Sequence, residues 1–547
     1  VTPLIEAADM YPSLERLVLA ARRSIWLGFR IFDPATRLRS DEARARGLDD
    51  WAALLIDAIG RGVEIRILLT DFEPLIADEL HAGSWRSFHR LRDAAERLAP
   101  TARARLQMIV IQHEGEIGWL WRQALRLPLR IASRRLVTKL LGDGGSDRSD
   151  DPGMVARPGL WRYLAWEAER PKSWRPASPP RLWPATYHQK FAVIDGTTAV
   201  IGGLDLNERR YDDSRHAQRA DRTWHDISAR VEGPVVGDAA RHFAELWNSE
   251  LPRFREIVAE WTEGAGRPIA LDPLGEAVAP PPPPMLQGVH ADVRLVRTRS
   301  RRSPSIVAFG PRPHIRELEA AHRALILGAR RTLYIEAQFF RSKDASRWVV
   351  EALARSPALE VIILVANAPE EVAFEGQGGN PAHRHGEWLQ TRALGRIRRA
   401  AGRDRVGLFT LAKHEGTRAS EAQFEPERGT AYGSGLIHIH AKLLIADDLT
   451  CLLSSANING RSFAWDTELG VVWREEGPTI ARFRQALWSQ LFGERIDSGM
   501  GLREWRKRAA INARTAPEQR TGFVVPYQLQ RARRFARPYW FVPDDLV

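Results

Sequence analysis

The chain has 547 residues, 44% of them apolar and 27% charged, with a formal net charge of +12 and an isoelectric point of about 10.2. This is ordinary globular composition in a chain longer than one core normally holds, so a disordered or fibrous protein is excluded and two lobes are expected. No twenty-residue apolar run offers a membrane-spanning helix, and Cys451, the single cysteine, cannot form an internal disulfide.

The positive balance favours polyanionic partners without separating anionic lipid from nucleic acid. The opening, VTPLIEAADMYPSLERL, lacks the basic and apolar regions of a secretory signal, and it starts on Val1, as a processed terminus would. The expected location is therefore the cytoplasmic side of a membrane surface, or outside the cell by a route without a cleavable signal.

Taken along the chain, SIWLGFRIFDP from Ser24 and VEIRILLTD from Val63 contain strand-like apolar runs. Residues 114–183 then form a basic, tryptophan-rich segment with no clear counterpart later on. In IGWLWRQALRLPLRIASRRLVTKLL from Ile117, the apolar Trp119, Trp121, Leu125, Leu129 and Ile131 alternate with Arg122, Arg126, Arg130, Arg134 and Arg135. A basic amphipathic helix with tryptophan suits a bilayer interface, and an apolar stripe packed on the lobe is the competing reading. Pro128 predicts a kink. A polar loop from Gly142 follows, then Trp161, Trp166, Trp174 and Trp183 among prolines.

The cassette YHQKFAVID places His188 and Lys190 two apart, with Asp195 five further on. On a β-strand, side chains two apart share a face, so an imidazole and an ammonium point together, an arrangement suited to an anion. Asp195 lies off that face, beside Gly196, and reads as a strand-end brace. After six more residues comes GGLDLN, 202–207, and later WHDISARVEGP with Asp226.

Residues 280–284 are five prolines, a stiff stretch nearly midway along the chain. The expected division is a first lobe over 1–270, a linker over 271–294 and a second lobe over 295–547. Beyond the linker the first half returns. RELEAAHRALILGARR from Arg316 reads as a helix. TLYIEAQFFRS from Thr332 echoes SIWLGFRIFDP, and LEVIILVAN from Leu359 echoes VEIRILLTD. His440, Lys442 and Asp447 in HIHAKLLIAD repeat the cassette, followed in register by SSANIN, 454–459, and WDTELGVVWREEGP, which sets Glu468 opposite Asp226. The chain is an internal duplication, each half predicted as a mixed β-sheet flanked by helices. A carboxylate near each imidazole would fix its tautomer and support its cation.

HxK, four residues, D, and then GSxN after six more is the signature that these residues resemble, that of the phospholipase D superfamily, and it is present twice. HQK with GGLDL, RRYDD and WHD is more similar to phospholipases D acting on membrane phospholipids than to single-motif nucleases, as are HAKLLIADD and YIEAQFF. Ser454 stands where the family has Gly, and Gly203 and Asp205 where it has Ser and Asn. The resemblance implies a pseudo-two-fold with both cassettes in one cleft at the seam. It implies a catalytic set of His188, Lys190, Asp195, His440, Lys442 and Asp447, in which His188 forms a covalent phosphohistidine and His440 protonates the leaving alcohol and then activates water. Lys190 and Lys442, with Asn207, Asn457 and Asn459, would hold the phosphate oxygens, and Asp226 and Glu468 would orient the imidazoles. By symmetry alone the nucleophile stays open.

The chemistry needs no metal and no cofactor. His383 and His385, or His438 beside His440, are closely spaced but lack a carboxylate or cysteine set at ligand spacing. The expected partner is a phospholipid surface and not nucleic acid. One chain carries both halves of the site, so a monomer is expected. Glycerophospholipid hydrolysis to phosphatidic acid, with transphosphatidylation as a side activity, is the function implied. A cardiolipin synthase-like phosphatidyltransferase, a nuclease of the same superfamily and a non-enzymatic membrane scaffold are the alternatives. Headgroup choice is expected from cleft loops carrying Tyr211, His216, Glu336 and Gln338.

Overall fold

A computed structural model describes residues 1–142, 154, 156–167, 170–176, 181–265, 278–279, 292–374, 379–401, 404–416 and 428–547. The proline run 280–284 and the loop residues 143–153 lie outside the described residues.

The first sheet is built from β1 (Thr2–Ile5), β2 (Ser24–Phe29), β3 (Glu64–Thr70), β4 (Leu106–Ile111), β5 (Lys190–Ile194), β6 (Thr198–Gly202) and β7 (Ile227–Glu232). Their spatial order is β1-β7-β6-β5-β2-β3-β4. The second sheet contains β8 (Asp292–Arg301), β9 (Thr332–Ala337), β10 (Glu360–Val365), β11 (Val406–Gly416), β12 (Leu443–Ala446), β13 (Thr450–Ser454) and β14 (Glu468–Arg474), in the order β8-β14-β13-β12-β9-β10-β11. The two orders are the same. So is the polarity: β2, β3 and β4 are parallel, as are β9, β10 and β11, and the other pairs along each of these two orders are antiparallel. The duplication is thus one of topology as well as sequence, an α/β fold of two lobes.

Parallel strands need helical crossovers on their faces, which is why EIRILLT and EVIILV are near-continuous apolar runs. In β9, Leu333 and Ile335 face an outer cluster with Val349, Ile363 and Leu444. Tyr334 between them joins another cluster with Leu443, Leu453, Leu469 and Trp488, which continues across the seam to Ile201, Ile227 and Trp247 of the first lobe. One core therefore spans both lobes. Each final strand runs through Gly-Pro into a helix, Pro234–Ala265 and Thr479–Phe492. Pro234 opens its helix because its missing N–H is one that position leaves unpaired.

Backbone hydrogen bonds stitch the seam reciprocally. His188 N donates to Thr467 O at 2.8 Å and Thr467 N to Thr186 O at 3.0 Å; from the other side His440 N donates to His225 O at 2.8 Å and His438 N to Thr223 O at 2.9 Å. The strand entering each cassette is thereby paired with the residues just ahead of the other lobe's carboxylate.

The inserted segment opens with two helices, Trp119–Ala124 and Arg126–Leu141. The predicted break falls at Leu125 and not at Pro128 itself. A proline ring clashes with the carbonyl four residues earlier, here Ala124, so the first helix ends there and Pro128 sits in the opening turn of the second. Leu129, Ser133 and Val137 are the buried face of that second helix. Among the described residues no helix is long and apolar enough to cross a membrane.

Candidate active site

His188 and His440 line the same cleft, of about 470 Å³, with Arg30, Arg210, Gln338, Asn457, Asn459, Arg461 and Asp466. The cassettes do not lie within strands as the spacing predicts. Lys190 is the first residue of β5, and His440 and Lys442 occupy the link between the strand Ser434–Ile439 and β12. The cross-lobe hydrogen bonds above take the imidazole's own backbone out of its sheet and aim it at the seam.

The carboxylates act crosswise. His188 Nδ1 lies 3.0 Å from Glu468 Oε2, and His440 Nδ1 lies 2.5 Å from Asp226 Oδ2, so each lobe's carboxylate holds the other lobe's histidine. With Nδ1 so engaged, the second ring nitrogen, Nε2, is left for chemistry. Ser455 Oγ donates to Glu468 Oε2 at 2.5 Å. The matching position in the first lobe is Gly203, and it has to be glycine: a Cβ there would stand 2.2 Å from Asp226 Oδ1.

Both lysines are buried behind the imidazoles. Lys190 Nζ donates to His188 O at 2.6 Å and Lys442 Nζ to His440 O. Beside Lys190, Asp205 Oδ1 lies at 4.0 Å and Arg30 approaches Asp205 Oδ2 at 3.9 Å. Beside Lys442 the equivalent places hold neutral groups, since Gln338 Oε1 accepts from both Lys442 Nζ and Asn457 Nδ2 at 3.3 Å. Sequence reasoning expected Asn457 here but not the charged counterpart Arg30–Asp205.

Burial sets the electrostatics. It pushes Glu468 up to about 8 and Asp226 to about 6, and Lys190 down to about 8 and Lys442 to about 7. Both imidazoles are held well below their ordinary value, first by burial and then by cations, among them the lysine of the opposite cassette. Burial thus disfavours a fully separated imidazolium–carboxylate ion pair at either histidine. A negative charge in the cleft would favour the protonated form of both lysines and of an imidazole.

Asp195 and Asp447 are not brought to the cleft, contrary to their place in the catalytic set. Asp195 accepts hydrogen bonds from the amides of Arg22, Arg23 and Ser24 at 2.7–2.9 Å, and Asp447 from those of Arg330, Arg331 and Thr332 at 2.7–2.8 Å. Both have positive φ, 51° and 55°, a conformation aspartate tolerates in turns. Each fastens the start of the neighbouring central strand. Asp195→Ala is accordingly expected to lower the unfolding free energy by about 1–3 kcal/mol while the folded fraction keeps its kcat. Urea titration alongside active-site titration measures both.

Asn207 and Asn459 cap short helical turns, accepting from Arg210 N at 2.9 Å and Ser462 N at 3.0 Å. Asn459 still lines the cleft, whereas Asn207 lines a neighbouring cavity that shares Arg30. Of the residues expected to set headgroup choice, only Gln338 lines the cleft. Tyr211 lies under Arg39, and His216 is buried against Asp212 at 2.8 Å. Glu336 is buried at the seam, where it accepts from His225 Nε2 at 2.8 Å while His225 Nδ1 meets Glu6 at 2.5 Å. These two carboxylates hold His225 well above its ordinary value against the cost of burial, as an imidazolium.

Glu6, His216 and His225 place three ligand-type atoms within 4.8 Å, the one such grouping among the described residues. Two donors on one zinc at about 2.0–2.2 Å each stand over 3 Å apart. The 2.5 Å between Glu6 and His225 is a hydrogen bond instead. His385, a sequence candidate for metal, bonds Asp544 at 2.9 Å and accepts from Tyr539 N at 3.0 Å.

His225→Leu would strand both carboxylates and is expected to cost about 3–5 kcal/mol. Because the folded His225 binds its proton more tightly than the unfolded chain does, that stability is fully present below the unfolded value near 6.5 and is lost as pH rises through the folded one. The difference in urea midpoint between wild type and His225→Leu should therefore be largest near pH 6 and shrink in alkali.

No family model matches the chain. Phospholipase D1 of Homo sapiens is 30% identical over 281 residues, covering 46% of this chain and 24% of that protein. Phospholipase D alpha 1 of Oryza sativa subsp. japonica is 24% identical over 411 residues, covering 56% of this chain and 49% of the relative. The chain thus spans about a quarter to a half of the curated relatives it matches. Among solved structures, a phosphatidylserine synthase of Haemophilus influenzae overlaps 89% of this chain and 86% of its own, with a TM-score of 0.48 and 13% identity. The likeness to the phospholipases D and two HxK cassettes whose histidines line one cleft lead to the same assignment: the chain belongs to the phospholipase D superfamily.

Proposed function

We propose that the protein is a phospholipase D-type phosphodiesterase that cleaves the headgroup ester of glycerophospholipids to give phosphatidic acid. The observation that carries the reading is the crossed pair of His–carboxylate units facing one cleft lined by both polar and apolar side chains. Arg30, His188, His440, Asn457 and Arg461 offer an anion site, and Phe72, Ile76, Leu80, Leu182, Trp183 and Phe309 offer an acyl-chain wall.

In this mechanism His188 Nε2 attacks phosphorus. A P–N bond forms, the P–O bond to the headgroup breaks, and His440 gives its proton to the departing alkoxide. His440 then takes a proton from water, whose oxygen bonds to phosphorus as the P–N bond breaks, releasing phosphatidic acid. An alcohol in place of water yields transphosphatidylation. Lys190 and Lys442 offset the charge gathering on the phosphate oxygens.

The test is incubation of wild type with mixed phosphatidylcholine and phosphatidylethanolamine vesicles and, separately, with plasmid DNA, followed by mass spectrometry and gel analysis. Free headgroup with phosphatidic acid is expected. Nicked DNA with intact lipid would sink the proposal.

A further inference from the structure

Of the large apolar side chains exposed among the described residues, all but Leu449 and Ile511 sit on four segments that contribute to the cleft wall. Three of the four pack side by side. Gly118 N donates to Ala308 O at 2.6 Å and Leu120 N to Ile306 O at 2.9 Å, while the Trp121 indole donates to Val307 O at 3.0 Å and stands edge-on to Phe309. A Cβ at Gly118 would come within 2.5 Å of Ile306 O, so glycine permits this approach. Residues 72–80 join through Leu75, which packs on the small cluster of Ile117, Leu129 and Leu182. The result is a continuous rim at one side of the cleft mouth, bearing Ile76 at 73% exposure, Leu127 at 66%, Ile306 at 61% and Trp119 at 54%.

The helix Arg126–Leu141 is two-sided in a telling way. Its buried face holds it on the lobe, so the packing reading and the bilayer reading are not alternatives. The opposite face exposes Leu127 and Ile131 among Arg126, Arg130, Arg134, Arg135 and Lys139, and the helix carries no acidic residue. A protein partner would have to supply an apolar surface and a dense acidic one together. An anionic bilayer supplies both, with acyl chains for the apolar side chains and headgroups for the arginines, and tryptophan is favoured at the boundary between them.

We infer that this rim is the surface by which the protein seats on an anionic phospholipid bilayer, with residues 117–131 and 305–309 entering the headgroup layer. This rests on the phospholipid reading of the cleft and deepens it, because the acyl-chain wall of the cleft is continuous with the inserted rim. A substrate lipid then slides from the leaflet into the cleft with its chains never crossing water.

The test uses the full chain with Trp119, Leu127, Ile306 and Val307 all changed to serine, four exposed side chains that do not line the cleft. Wild type is expected to sediment with vesicles of equimolar phosphatidylcholine and phosphatidylglycerol and to release in high salt. The variant should bind at least about 10-fold more weakly and lose vesicle hydrolysis in proportion. Turnover of a short-chain phosphatidylcholine kept below its micelle threshold should be unchanged. Undiminished vesicle binding would overturn the inference, as would an equal loss on the monomeric lipid. So would a wild-type dimer that the variant abolishes in analytical ultracentrifugation, since the rim would then cover a second copy. If neither substrate is turned over but vesicle binding depends on the rim, the docking surface stands and the hydrolase reading falls.

Discussion

His188→Ala lowers phospholipid turnover by at least about 10⁴-fold, because it removes the nucleophile and leaves water to attack a shielded, anionic phosphorus unaided. His440→Ala is expected to cost about 10²–10⁴-fold on the same lipid, the usual worth of a general acid. The two are told apart by the leaving group. A p-nitrophenyl phosphodiester departs without a proton, so His440→Ala should still give a burst of p-nitrophenol and then stall as a phosphoenzyme lacking its general base. His188→Ala should give neither burst nor phosphoenzyme. A burst retained in His188→Ala and lost in His440→Ala would exchange the two roles, which the symmetry of the cassettes leaves open. Retention of full lipid turnover in both would end the phosphohistidine mechanism. Each substitution removes one side-chain hydrogen bond, and at His440 an edge-on contact with Trp224, while the apolar clusters keep all their members.

The duplication was legible because strand topology follows the apolar pattern, and that pattern is written locally. IRILLT and VIILVA become β3 and β10 in identical positions of their sheets, and Asp226 and Glu468, matched by register alone, do reach the imidazoles. Which carboxylate meets which histidine was not legible. Asp226 is 38 residues from His188 and 214 from His440, and proximity in sequence favours the wrong partner. The cross-pairing comes from the seam, where the backbone of Thr467 is bonded to that of His188 and the backbone of His225 to that of His440. Glu336 misled for a similar reason. Its neighbour Gln338, two residues on in the chain, does line the cleft, yet Glu336 itself lies within β9 and is consumed by His225. The surface split of the inserted helix was hidden as well, since the sequence shows an apolar stripe but not which of its members the lobe will cover.

The crossed wiring makes a prediction that a self-contained lobe would not. Asp226→Asn should impair the step that uses His440, and Glu468→Gln the step that uses His188, each by about 10²–10⁴-fold, since a neutral amide neither fixes the required tautomer nor supports an imidazolium. Single-turnover measurements separate them. With a phospholipid and its poor leaving group both variants slow phosphoenzyme formation. With the p-nitrophenyl ester, Asp226→Asn should recover formation and remain slow only in hydrolysis, because proton donation to the leaving group has ceased to matter. Glu468→Gln should stay slow in formation on either substrate, for the nucleophile itself is misaligned. Ser455→Ala should behave as a milder Glu468→Gln, because the Ser455 hydroxyl holds the oxygen that faces His188. If each carboxylate served the histidine of its own lobe the two patterns would exchange. That exchange would contradict the 2.5 Å and 3.0 Å contacts on which the site is built.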